Sequence, residues 1–83
     1  MKLVYFAWVR ERVGLREEEA DLPAGTDTVG DLVAWLKTRG EGYADAFANE
    51  GTIRAAIDQV HAKAGSPLAG AREVAFFPPM TGG

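Results

Sequence analysis

The residues best suited to chemistry in this chain stand together at its C-terminal end: Phe76-Phe77-Pro78-Pro79-Met80-Thr81-Gly82-Gly83. Two aromatics close an apolar run, and the two prolines after them neither donate to a strand ladder nor fit a helix interior. Tandem prolines favour an extended, polyproline-type exit. From Pro78 to Gly83 the chain can reach roughly 20 Å at ~3.1–3.6 Å per residue. A terminal glycine carboxylate with a second glycine before it carries no side chain near its carbonyl carbon, so it can pass down a narrow channel. The carboxylate itself is inert. Activated as an acyl-adenylate, it becomes an acyl donor to a thiol, a sulfide or an amine. The tail reads as a substrate or carrier for another protein's active site, mobile when free and ordered in a partner.

Nothing else in the chain has the spacing of a catalytic centre. His61 is the single histidine. Asp58 lies three positions before it, and strand residues three apart point to opposite faces, so the two do not make a metal site. The acidic residues are dispersed, and the glycines fall in turns and the tail instead of in a phosphate-cradling loop. The absence of cysteine removes disulfides, thiolate ligands and thiol catalysis. The expectation is a carrier with no active site of its own and no bound cofactor.

Composition narrows the rest. A chain of 83 residues with 47% apolar and 25% charged residues forms one small domain with a thin stability margin. A net charge of −3 without a basic cluster argues against nucleic acid as a partner. No apolar run approaches the ~20 residues of a membrane span, and Met1-Lys2 leads directly into an alternating segment unlike a signal peptide. A cytoplasmic protein is expected.

The elements that must position the tail follow in order. Lys2 to Val9 alternates with both faces apolar (Leu3, Tyr5, Ala7 and Val9 against Val4, Phe6 and Trp8), which predicts a strand packed inside on one face and meeting a partner on the other. Arg10 to Gly14 turns the chain, with Gly14 free to take a positive φ, and Leu15 to Leu22 returns as a second strand. Glu17, Glu18 and Glu19 read as its solvated edge. Thr28 to Arg39 predicts a helix, opened by a Thr28/Asp31 capping box and stopped by Gly40. Its buried stripe is Val29, Leu32, Val33 and Leu36, with Trp35 at the core's edge. Tyr43, Ala46 and Phe47 suggest one short helical turn. Thr52 to Asp58 reads as a strand with Ile53, Ala55 and Ile57 inward, Gln59 to Ala62 as another, and Glu73 to Phe77 as the last, with Val74 and Phe76 opposite Ala75 and Phe77. The first and last strands are the most apolar, hence central and adjacent, and parallel. The result is an α+β roll, a mixed sheet packed on one main helix over residues 1–77, with residues 78–83 as its tail.

Lys2-Leu3-Val4-Tyr5-Phe6-Ala7 with Val9-Arg10-Glu11, Thr28-Val29 and the block from Glu73 to Gly83 closely resemble the small subunits of molybdopterin synthase. The resemblance covers nearly the whole chain and implies a ubiquitin-like β-grasp sulfur carrier. It implies that a ubiquitin-activating-like adenylyltransferase spends ATP to adenylate Gly83 and that sulfur then replaces one oxygen. The resulting thiocarboxylate enters the active site of the large subunit, in a complex of two small and two large subunits, and donates sulfur towards the dithiolene of molybdopterin. On this resemblance Gly82 keeps the channel clear, Phe76 to Thr81 line the contact with either partner, and Phe6, Trp8, Phe77 and His61 belong to the docking patch. Three residues depart from the pattern: Met80 stands where valine is common, Trp8 where a polar residue is common, and His61 where the patch is often aliphatic. Two rival readings share the fold, a sulfur carrier of the thiamine pathway and a ubiquitin-like modifier conjugated through Gly83.

Overall fold

The computed structural model describes residues 1–79. The elements are β1 (Lys2–Tyr5), α1 (Ala7–Val13), β2 (Glu17–Glu19), α2 (Val29–Leu36), α3 (Glu41–Ala46), a 3₁₀ turn (Glu50–Thr52), β3 (Arg54–Ile57), β4 (Val60–Ala62) and β5 (Glu73–Phe77). They form one five-stranded sheet in the order β2-β1-β5-β3-β4. β1 and β5 run parallel at its centre, and the other neighbours are antiparallel. This is the β-grasp arrangement, with the first and last strands side by side.

Strand parity and one helical stripe make the core. Leu3 and Tyr5 on β1 stand beside Val74 and Phe76 on β5, and all four are closed to solvent. Against them pack Val29, Leu32, Val33 and Leu36 of α2, the apolar stripe expected from its i, i+3, i+4, i+7 spacing. Thr28 caps this helix by accepting from the Asp31 N–H (3.2 Å), while the Asp31 carboxylate accepts from the Thr28 N–H (3.2 Å). The helix ends at Leu36, three residues before the expected stop, because short bonds from Thr38 N–H to Trp35 and from Arg39 N–H to Leu36 tighten the chain into a turn.

The sequence expectation fails most clearly between Phe6 and Gly14. β1 stops at Tyr5, and Ala7 takes a left-handed φ of 53°, which swings the chain from the extended Phe6 straight into α1. Val9 is then buried and Val13 partly buried one turn later, so the apolar residues of this segment serve a helix as well as they would a strand. Gly14 does take a positive φ (90°), but as the cap of α1, its N–H donating to the Arg10 carbonyl at 2.8 Å. β2 pairs with β1 as expected, although only three residues long and joined through a helix.

The expected single helix is accompanied by two more. α3 is a six-residue helix where one short turn was expected, and it crosses close to the end of α1. A Cβ on Gly42 would lie 2.5 Å from the Arg12 carbonyl oxygen, so only glycine lets the two backbones approach. β3 and β4 join through Asp58 and Gln59, both at positive φ, the two-residue hairpin geometry whose twist matches the strands. The Asp58 carboxylate also accepts from the N–H groups of Arg72 and Glu73, at 3.0 and 2.9 Å, tying the hairpin to the start of β5.

Candidate docking face and tail exit

Because side chains alternate along a strand, the residues between the core positions project from the sheet face opposite α2. Register brings Val4, Ala75, Ala56 and His61 into one row across β1, β5, β3 and β4. Phe77 lies two positions further along β5, opposite Arg54. Phe6 continues the β1 ladder by one bond, its N–H donating to the Phe76 carbonyl at 3.0 Å, and its side chain is 49% exposed. The two alanines in the middle are small and covered, whereas Phe6, Phe77 and His61 stand around them. The His61 ring meets Phe77 edge-on, centroids 5.8 Å apart. The face is thus a shallow apolar surface at the end of β5 from which Pro78 and Pro79 leave the sheet.

Two residues assigned to this surface from sequence belong elsewhere. Phe76 is enclosed in the core, stacked on Tyr5 at 6.1 Å and edge-on to Phe47 at 5.0 Å, and has no area to offer a partner. Alternation alone separates it from Phe77. Trp8 lies on α1, where strand parity does not apply; it packs partly buried against the core cluster, with the Arg12 guanidinium 4.8 Å above its ring. Met80, Thr81, Gly82 and Gly83, the remaining residues assigned to the tail, lie outside the described residues. Beyond the face, the sequence did not single out Val60, which is exposed at the β3–β4 hairpin.

The sharpest electrostatic feature lies at the other edge of the sheet. Register places Glu18 opposite Leu3, so its side chain turns towards the core face while Glu17 and Glu19 turn away. The expectation of three solvated glutamates therefore fails at the middle one. Its carboxylate accepts from the Tyr5 hydroxyl (2.8 Å), the Tyr43 hydroxyl (2.7 Å) and the Arg39 guanidinium (2.8 Å), with its side chain only 12% exposed. Burial works against the ionised form, but bonds from Tyr43, Arg39 and Tyr5 outweigh it and hold Glu18 below the usual carboxylate range. Burial first, and the bond to Glu18 second, push the Tyr43 phenol up to about 12 and Tyr5 well above its ordinary value. Both tyrosines therefore remain protonated donors. Since Tyr5 stacks on Phe76, this clasp fixes β1 against the strand that carries the tail.

No helix among the described residues is long and apolar enough to cross a membrane. The ThiS family model matches residues 3–83. The molybdopterin synthase sulfur carrier subunit of Escherichia coli (strain K12) is 39% identical over 85 aligned residues, covering 100% of this chain and 99% of that protein. Among solved structures, the putative molybdopterin converting factor, subunit 1, of Pyrococcus furiosus superposes with a TM-score of 0.74 at 27% identity, covering 95% of each chain. Small archaeal modifier protein 1 of Haloferax volcanii superposes with a TM-score of 0.70 at 27% identity, covering 96% of this chain and 97% of that one. With a family match that runs from the first strand through the tail, and a relative aligned along its whole length, this chain belongs to the ThiS family.

Proposed function

We propose that this chain is the sulfur-carrying small subunit of a molybdopterin synthase. The observation that carries the reading is the end-to-end match, at 39% identity, to a protein of that name. The unhindered Gly82-Gly83 pair beyond a Phe-Phe-Pro-Pro exit gives it a chemical basis. A ubiquitin-activating-like adenylyltransferase uses ATP to adenylate the Gly83 carboxylate, and a sulfur nucleophile displaces AMP to leave a thiocarboxylate. The tail carries that sulfur into the active site of the large subunit, which transfers it to a pterin precursor towards the dithiolene. The residues of this chain hold and present the sulfur. Phe6, Phe77 and His61 dock on the large subunit, Pro78 to Thr81 span from the sheet into the channel, and Gly82 keeps the approach to Gly83 open. Two small and two large subunits form the working complex, in the cytoplasm.

The test is the intact mass of the protein after expression with the adenylyltransferase and a sulfur source. A gain equal to the replacement of one oxygen by sulfur, followed by loss of that sulfur on adding the large subunit and pterin precursor, is expected. An unchanged mass overturns the reading. A second reading, a protein modifier, draws support from the likeness to small archaeal modifier protein 1. Isopeptide conjugates formed through Gly83 in cell extract would favour it.

A further inference from the structure

The docking face has a charged end that the apolar patch does not explain. Arg54 stands directly opposite Phe77 across the β3–β5 ladder. One residue beyond β4, the register Ala55↔Ala62 carries Lys63 to the position opposite Arg54. Both cations are exposed. Arg54 makes only a long 3.5 Å contact to the Gly51 carbonyl, and among the described residues neither cation has a carboxylate partner. Several other cations do find carboxylates: Lys2 with Glu17, the N-terminus with Glu19, Arg12 with Asp45, and Arg39 with Glu18. Like charges directly opposite across a ladder destabilise a sheet. In a chain of net charge −3, two exposed cations facing each other beside the partly buried Phe77 are a local reversal of sign.

We propose that the large-subunit surface docking here presents carboxylates to Arg54 and Lys63, while its apolar part covers Phe77 and Phe6. The proposal rests on the reading of this face as the docking surface and adds the chemistry of the partner at its β3–β4 end. Exposed rim charges act mainly on the rate of encounter and its salt dependence, through attraction that weakens once the screening length falls to a few ångströms. Apolar anchors such as Phe77 act mainly on dissociation. The two contributions are therefore separable by kinetics.

The experiment measures association and dissociation rates of the full chain with the recombinant large subunit from the same organism, at about 30 mM and about 300 mM salt. The wild-type association rate is expected to fall about tenfold or more with added salt. Arg54→Gln with Lys63→Gln should lower the low-salt rate by about tenfold and flatten the salt dependence, with dissociation little changed. Arg54→Glu with Lys63→Glu should lower it further. Both residues are exposed, so thermal melts should match the wild type or rise slightly. If the double glutamine variant associates at the wild-type rate with the wild-type salt slope, the proposal is overturned, and the cations only keep the edge strand β4 from pairing with other chains. Phe77→Asp then locates the failure. Lost binding leaves the docking face intact and removes only its charge chemistry, whereas unchanged binding removes the docking face as well.

Discussion

Replacing Glu18 by glutamine should expose the strength of the three-donor clasp. The substitution keeps size and shape but leaves one oxygen and one amino group where two acceptor oxygens stood. Both tyrosine hydroxyls bond one oxygen and Arg39 bonds the other, so in either orientation the amide nitrogen faces a donor. A hydrogen bond to a charged group contributes ~1.5–3 kcal/mol. Arg39 is about one-third exposed, which discounts its share, and the tyrosine bonds are charge-assisted only while Glu18 is ionised. A loss of ~2–3 kcal/mol at neutral pH follows, equivalent to ~10–20 °C in melting temperature for a domain of this size. The pH dependence supplies the sharper test. The folded pKa of Glu18 is depressed, so its contribution is present above the unfolded glutamate pKa of ~4.3 and is lost as pH falls through the lower folded value. Urea titrations of both proteins at pH 7 and pH 3 should therefore show a gap that narrows in acid. A gap of the same size at both pH values would mean that the carboxylate charge is irrelevant and that glutamine merely packs badly.

Three further outcomes are expected. Phe76→Ala should cost ~3–5 kcal/mol in chemical denaturation, whereas Phe77→Ala should stay within ~1 kcal/mol because its ring is only partly buried; equal losses would mean that the two faces of β5 are misassigned. Gly42→Ala should destabilise by ~1–3 kcal/mol, since the new methyl meets the Arg12 backbone at 2.5 Å, and an unchanged denaturation midpoint would show that α1 and α3 separate freely. Adding one alanine after Gly83 should abolish thiocarboxylate formation, read by intact mass, without moving the thermal melt; equal yields with the extra residue intact would sink the carrier function.

The parts of the fold legible in sequence were those where several local signals agreed. α2 carried a capping box and an apolar stripe at once, and β5 carried alternation followed by two prolines. The parallel pairing of β1 with β5 followed from their being the most apolar strands. α1 was hidden because Leu3 to Val9 is an unbroken apolar run that shows no helical period, and the switch into helix depends on Ala7 at a positive φ, which no residue preference of alanine announces. Glu18 was indistinguishable from Glu17 and Glu19 until register set it opposite Leu3. Gly42 looked like a helix weakener because the backbone it must admit lies thirty residues earlier, at Arg12. At the candidate docking face, alternation along β5 put Phe76 and Phe77 on opposite faces, yet both were assigned to the partner contact, and Phe76 lies in the core. The approach of His61 to Phe77 needed the β3–β4 hairpin, whose turn residues Asp58 and Gln59 are not the usual glycine-bearing pair.

The position of β5 has a mechanical consequence. The strand that leads to the tail is hydrogen-bonded along both edges, to β1 and to β3. Tension applied at Pro78 along the strand axis therefore loads two ladders in shear, many bonds at once, instead of peeling an edge strand one bond at a time. A partner can grip and thread the tail with appreciable force before the domain yields. Among the described residues, the same strand is the hydrogen-bonded bridge between the β2–β1 pair and the β3–β4 pair. A pull strong enough to draw it out would cut the hydrogen-bonded sheet in two and leave the halves held by their packing under α2.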